Sequence, residues 1–126
     1  MKVIFFGTSQ LASNILAYLL KNQINIVAIV TKSDKPQGKK TGYPSVKEYV
    51  LSQNLSIPLL QPEKASINQF AEILASYKAD LFVVVSYGEI IKENLLKLPT
   101  FGCINVHPSL LPKYRGASPI RQTLLE

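Results

Sequence analysis

The chain has 126 residues, 47% hydrophobic and 17% charged, with 6 Gly and 8 Pro. That composition excludes a disordered, collagen-like or low-complexity polymer, and the length fits one domain. A formal charge of +6 is concentrated at Lys32, Lys35, Lys39, Lys40 and Lys47, opposed locally by Asp34 alone, which suits an anionic partner.

The first run, Lys2-Val3-Ile4-Phe5-Phe6, breaks at Gly7 and falls short of the ~7 to 15 apolar residues at the centre of a secretory signal. No run approaches the ~20 residues of a membrane helix. A soluble, cytoplasmic protein without a membrane partner is expected, and Lys2 to Phe6 reads as a strand. Leu11, Ala12, Ile15, Leu16, Leu19 and Leu20 then mark one face of a helix, with Thr8 or Ser9 as its cap. Asn25 to Thr31 is apolar on both faces, as a central parallel strand should be. Lys32 to Tyr43, with Pro36, Gly38, Gly42 and its lysines, predicts a long exposed loop.

Pro44 fits the first turn of a second helix that buries Val46, Tyr49 and Val50. Ile57 to Leu60 reads as a short strand. Ser66 and Gln69 have capping-box spacing at the start of a third helix, whose expected buried residues are Ile67, Phe70, Ala71, Leu74 and Tyr77. Leu81 to Ser86 predicts another buried parallel strand, opening into a loop at Tyr87-Gly88, and Lys92 to Leu98 a short helix. Gly102 to His107 alternates, so Cys103, Asn105 and His107 share one side of an edge strand. Ser118-Pro119 begins a helix only two turns old at Glu126, which suggests a fragment. The alternation as a whole predicts an α/β fold: a Rossmann-like open twisted parallel sheet of order 3-2-1-4-5, helices on both faces, truncated at the C-terminus.

Ligands of open parallel sheets bind outside the carboxyl ends of the strands. After the first strand, Gly7-Thr8-Ser9-Gln10 lacks the further glycines of a dinucleotide fingerprint, and the second strand ends in Thr31-Lys32 without an acidic ribose ligand. Gly7 is expected to serve a tight turn. A Walker A run is also missing. Cys103 cannot close an intrachain disulfide as the single cysteine, and no Cys/His cluster has metal-ligand spacing, so a reducing compartment and no metal are expected. Its expected role is core packing. Asn105 and His107, with Cα atoms roughly 6.5 Å apart on one strand face, can touch one small group. The imidazole exchanges a proton near neutral pH and the amide donates to an oxygen gaining charge, a pairing suited to acyl transfer. A histidine satisfied in a strand-end hydrogen-bond network is the structural alternative.

Asn105-Val106-His107-Pro108-Ser109-Leu110-Leu111-Pro112 resembles the Asn-x-His and Ser-Leu-Leu-Pro signature of the folate-dependent formyltransferases. Phe6-Gly7-Thr8, Thr31 to Pro36, Pro44 to Lys47, Ile57-Pro58 to Gln61-Pro62, Val83 to Gly88 and Ala117 to Ile120 are similar to the methionyl-tRNA branch of that family. The resemblance implies formyl transfer from 10-formyltetrahydrofolate to the amino group of methionyl initiator tRNA in translation initiation. It implies Asn105 as oxyanion donor and His107 as proton-handling or charge-stabilising catalytic group. It also implies a folate pocket from the backbone of Ser86, Tyr87 and Gly88 with Ser109, Leu110, Leu111 and Pro112, and tRNA contacts at Lys35, Lys39 and Lys40. The family's third catalytic residue, an aspartate, and its tRNA-binding barrel domain would lie beyond Glu126, so this stretch is expected to be the N-terminal portion of the catalytic domain and inactive alone. Alternatives are a glycinamide ribonucleotide or sugar-nucleotide formyltransferase, or a noncatalytic folate- or RNA-binding module.

Overall fold

A computed structural model describes residues 1–34 and 44–106. In chain order the elements are β1 (Val3–Gly7), α1 (Gln10–Lys21), β2 (Ile26–Val30), α2 (Ser45–Ser52), β3 (Leu59–Leu60), α3 (Asn68–Ala75), β4 (Leu81–Val85), α4 (Glu93–Leu96) and β5 (Cys103–Val106). The strands form one sheet in the order β3-β2-β1-β4-β5, and every neighbouring pair is parallel. This is the order that the βαβ alternation predicts, with β5 at an edge.

Central placement explains composition. All five residues of β1 are buried, because β2 and β4 cover its edges while helices cover both faces. On one face Val3, Phe5, Ile29 and Val85 pack with Ala12 and Leu16 of α1 and Val46 and Val50 of α2. The other face gathers Ile4, Phe6, Ala28, Val30, Phe82 and Val84 with Phe70 and Leu74 of α3 and Leu95 of α4. Period-two alternation assigns residues to these two layers along β1, β4 and β5, whereas β2 is irregular where Val3 pairs with Ile26 and Ile4 with Ala28, so that Val27 and Ala28 both pack in the second layer. Cys103 packs against the second layer, as expected, and burial pushes its thiol up to about 11, well away from a reactive thiolate.

Several boundaries differ from expectation. Of the two candidate caps of α1, Ser9 takes the position and accepts from the amide of Ala12 at 3.2 Å. Pro44 is the N-cap of α2 and not part of its first turn. The capping box does not form: α3 starts at Asn68 with Ile67 as N-cap and no side-chain cap. Tertiary bonds take that segment instead. The Glu89 carboxylate accepts from the Ala65 amide at 2.7 Å, and the Asn94 amide donates to Ser66 O at 2.9 Å. Ile67 is consequently exposed rather than buried.

Gly7 serves close packing, not a tight turn. It is the last residue of β1, paired with Val85, and a Cβ there would lie 2.6 Å from the Ala12 Cβ and 2.9 Å from Val85 O. The missing side chain lets α1 settle onto the end of the sheet. The predicted loop enters the described structure only at Lys32, Ser33 and Asp34, and the expected helix from Ser118 lies outside the described residues.

Candidate functional site at the strand ends

β1 leads to β2 on one side of the sheet, whereas β4 leads to β5 on the other, so the strand order reverses between β1 and β4. Ligand crevices of open parallel sheets form at such a reversal. Thr8, the first residue past β1, bridges it. Its amide donates to Ser86 O at 3.1 Å, and its hydroxyl donates to Tyr87 O at 2.7 Å. The same Oγ1 accepts from the Lys32 amide at 3.3 Å and lies 3.5 Å from the Thr31 hydroxyl. Thr8 O accepts from the Val46 amide at 3.3 Å.

The chain leaving β4 is tightly bent. Ser86 is left-handed at φ 47° and Gly88 has φ 100°; glycine adopts the second value without steric cost, whereas serine there is held by its surroundings. Between them the Tyr87 side chain turns inward. It is 2% exposed and meets the Phe6 ring edge to face at 5.5 Å. Its hydroxyl is buried without a hydrogen-bond partner among the described residues. Burial, with the Glu89 charge adding to it, holds the phenol far above its ordinary range, so it stays protonated. Tyr87 therefore offers its main chain, not its ring, to the crevice.

Asn105 stands one strand further out. It pairs in register with Val84 and is exposed. Alternation places it on the same face as Cys103, toward the α3 and α4 layer. An exposed carboxamide near a strand's carboxyl end is free to donate to a ligand oxygen. Of the residues singled out by sequence, Ser86, Tyr87, Gly88 and Asn105 lie on the adjacent strands β4 and β5 or just beyond. His107, Ser109, Leu110, Leu111, Pro112, Lys35, Lys39 and Lys40 lie outside the described residues.

Beside the crevice is a cleft of about 550 Å³ lined by Lys32, Ser33, Glu63, Lys64, Ser66, Glu89, Ile90 and Lys92. Of these, sequence reasoning singled out only Lys32, as part of the cationic cluster suited to an anionic partner. Lys32 and Glu89 face each other at 3.8 Å, both partly exposed. Gln61 donates to Lys32 O at 3.0 Å and to the Asp34 carboxylate at 2.8 Å, and Lys47 donates to that carboxylate at 2.8 Å. These bonds fix the point where the lysine-bearing stretch leaves β2. They join residues distant in sequence, so only a parallel-sheet register exposes them.

The family model described as formyl transferase matches residues 1–126. The chain belongs to the formyl transferase family. Family members of similar sequence include the methionyl-tRNA formyltransferase of Protochlamydia amoebophila, 50% identical over 100% of this chain and 40% of its own length. That of Thermotoga neapolitana is 48% identical over 98% of this chain and 40% of its own. The chain thus spans about 40% of the length of these curated relatives. Among solved structures, phosphoribosylglycinamide formyltransferase from Bacillus halodurans aligns with 99% of this chain and 65% of its own at TM-score 0.62 and 20% identity, which supports the formyltransferase fold. No helix among the described residues is long and apolar enough to cross a membrane.

Proposed function

We propose that this chain is the N-terminal portion of the catalytic domain of a cytoplasmic enzyme that moves a formyl group from 10-formyltetrahydrofolate to the amino group of methionyl initiator tRNA. The observation that carries this reading is 50% identity across the whole chain with a relative named methionyl-tRNA formyltransferase. The crevice chemistry agrees with it. Attack of an amine on the formyl carbon makes a tetrahedral oxyanion; its collapse breaks the bond to the folate nitrogen, and the proton lost by the amine reaches that nitrogen. Asn105 is the oxyanion donor in this reading, and His107 handles the proton or steadies the developing charge. The main chain of Ser86, Tyr87 and Gly88, with Ser109, Leu110, Leu111 and Pro112, receives the folate. Lys35, Lys39 and Lys40 contact tRNA phosphates. A downstream aspartate and a tRNA-binding barrel belong to the remainder of the enzyme.

The test is a chimera in which these 126 residues replace the matching part of the Protochlamydia amoebophila relative. The chimera should formylate methionyl-tRNA with 10-formyltetrahydrofolate. The chain alone should bind a stable folate analogue by calorimetry without turnover, because catalytic groups that act as a unit lose most of the rate when one is missing. A folded chimera with neither transfer nor folate binding refutes the proposal.

A further inference from the structure

We infer that Thr8 is the positioning residue that ties the folate-side segment Ser86–Tyr87 to both ends of the lysine-bearing stretch, an inference that rests on the reading of those two segments given above. A threonine hydroxyl has one proton to donate and two lone pairs. Here the proton goes to Tyr87 O at 2.7 Å, one lone pair receives the Lys32 amide at 3.3 Å, and Thr31 Oγ1 lies at 3.5 Å. The main chain of the same residue receives the Val46 amide and donates to Ser86 O.

Lys32 and Val46 flank residues 35–43 on either side, the stretch that carries Lys35, Lys39 and Lys40. Ser86 and Tyr87 begin the segment past β4. One side chain thus meets the exits of β2 and β4, and its backbone meets the start of α2. Thr8 itself cannot drift, because Gly7 before it is clamped between Ala12 and Val85 O and Ser9 after it caps α1. The parallel link between the same exits, Lys32 to Glu89 at 3.8 Å and partly exposed, is weak by comparison. Tyr87 O also matters directly: its orientation sets the peptide plane between Tyr87 and Gly88, and that plane is part of the surface offered to a folate.

Replacing Thr8 by valine keeps the branched shape and the main-chain bonds while removing the hydroxyl. Tyr87 O and the Lys32 amide then lose their shared partner. In the chimera, Thr8→Val should raise KM for both the folate donor and methionyl-tRNA by about 5- to 30-fold, the scale of one or two lost hydrogen bonds, with kcat changed far less. Thr8→Ser should restore both values to within about twofold, since it returns the hydroxyl. A merely structural residue would lower the folded fraction, and hence apparent kcat, and leave both KM values alone. Unchanged KM values in the valine protein overturn the inference, and so does a rise in only one of them. Should the valine protein not fold, Thr8→Cys keeps a side chain of similar size with a weak donor and is judged by the same two KM values. Amide hydrogen exchange gives a readout independent of activity. Thr8→Val should speed exchange at Lys32 while leaving Val83 and Val84 protected, and unaltered exchange at Lys32 also overturns the inference. An inactive unmutated chimera refutes the proposed function instead, and the exchange measurement still decides the role of Thr8.

Discussion

The crevice between β1 and β4 and the carboxyl end of β5 are neighbours built on opposite plans. At the crevice the polar groups of Thr8 are taken up by partners, the strand beneath is fully buried, and the Tyr87 ring is sealed into the core. At the end of β5, Asn105 is exposed on a strand that pairs, among the described residues, with β4 alone. The crevice supplies rigidity and the edge supplies an available donor. Loss of buried packing at the first should therefore register in stability, loss of the Thr8 hydroxyl there in KM, and substitution at the second in turnover.

The largest effect should come from Tyr87. Tyr87→Ala removes a fully buried ring and should cost about 3–5 kcal/mol of stability, the range for large aromatic truncations. Tyr87→Phe should be neutral or stabilising in the same denaturant titration, because the hydroxyl it removes is buried without a partner. A folate affinity lost in Tyr87→Phe would show that the hydroxyl serves the ligand rather than the core.

Asn105→Ala tests the other side. In the chimera it should lower kcat by about 10² to 10³-fold, the scale of losing one oxyanion donor. Its unfolding midpoint should stay near that of the parent, as for an exposed side chain away from packing. A midpoint shift as large as that of Tyr87→Ala with normal kcat would reverse the contrast.

Gly7→Ala comes next. The added methyl meets the Ala12 Cβ at 2.6 Å and a backbone oxygen at 2.9 Å, and backbone cannot rotate away. Overpacking of this kind costs about 1–3 kcal/mol, readable in a urea titration of the chain. The smallest effect belongs to Asp34. Hydrogen bonds from Lys47 and Gln61 lower its pKa below the usual carboxylate value, so the group favours the folded state when ionised. That contribution is present above the unfolded pKa of about 3.9 and fades as pH falls through the lowered folded value. Carbon-detected titration of the Asp34 carboxyl should give a midpoint below that of an aspartate in an unfolded peptide; Lys47→Ala should move it upward.

The architecture was legible because each strand is flanked by an amphipathic helix and the central ones are apolar on both faces. Strand ends and helix stops were less so. α1 and α2 stop at Gln23 and Asn54, left-handed without being glycine, and these turns close with Ile24 N to Leu19 O and Leu55 N to Val50 O. Sequence punctuation by glycine gives no warning of them. The Ser66 box failed for a related reason: local capping lost to bonds from Glu89 and Asn94, more than twenty residues away. Within the proposed site, the assignment of Asn105 and the Ser86 to Gly88 turn rests on alternation and resemblance. Thr8 could be read as a candidate helix cap and as part of the matching Phe6-Gly7-Thr8 run but not as a link, since its partners arrive from three other segments.

The pairing of β1 also sets an order on synthesis. Val3 meets Ile26 across one edge but Leu81 across the other. At about 5–20 residues per second, a ribosome needs several seconds between making β1 and making β4. Through that interval the run Val3-Ile4-Phe5-Phe6 has one edge unclaimed, a template for pairing with any other nascent strand. The strand that ends most deeply buried is thus the one left exposed longest, until the chain beyond Asp80, whose amide donates to Lys2 O at 2.8 Å in the finished fold, has been made.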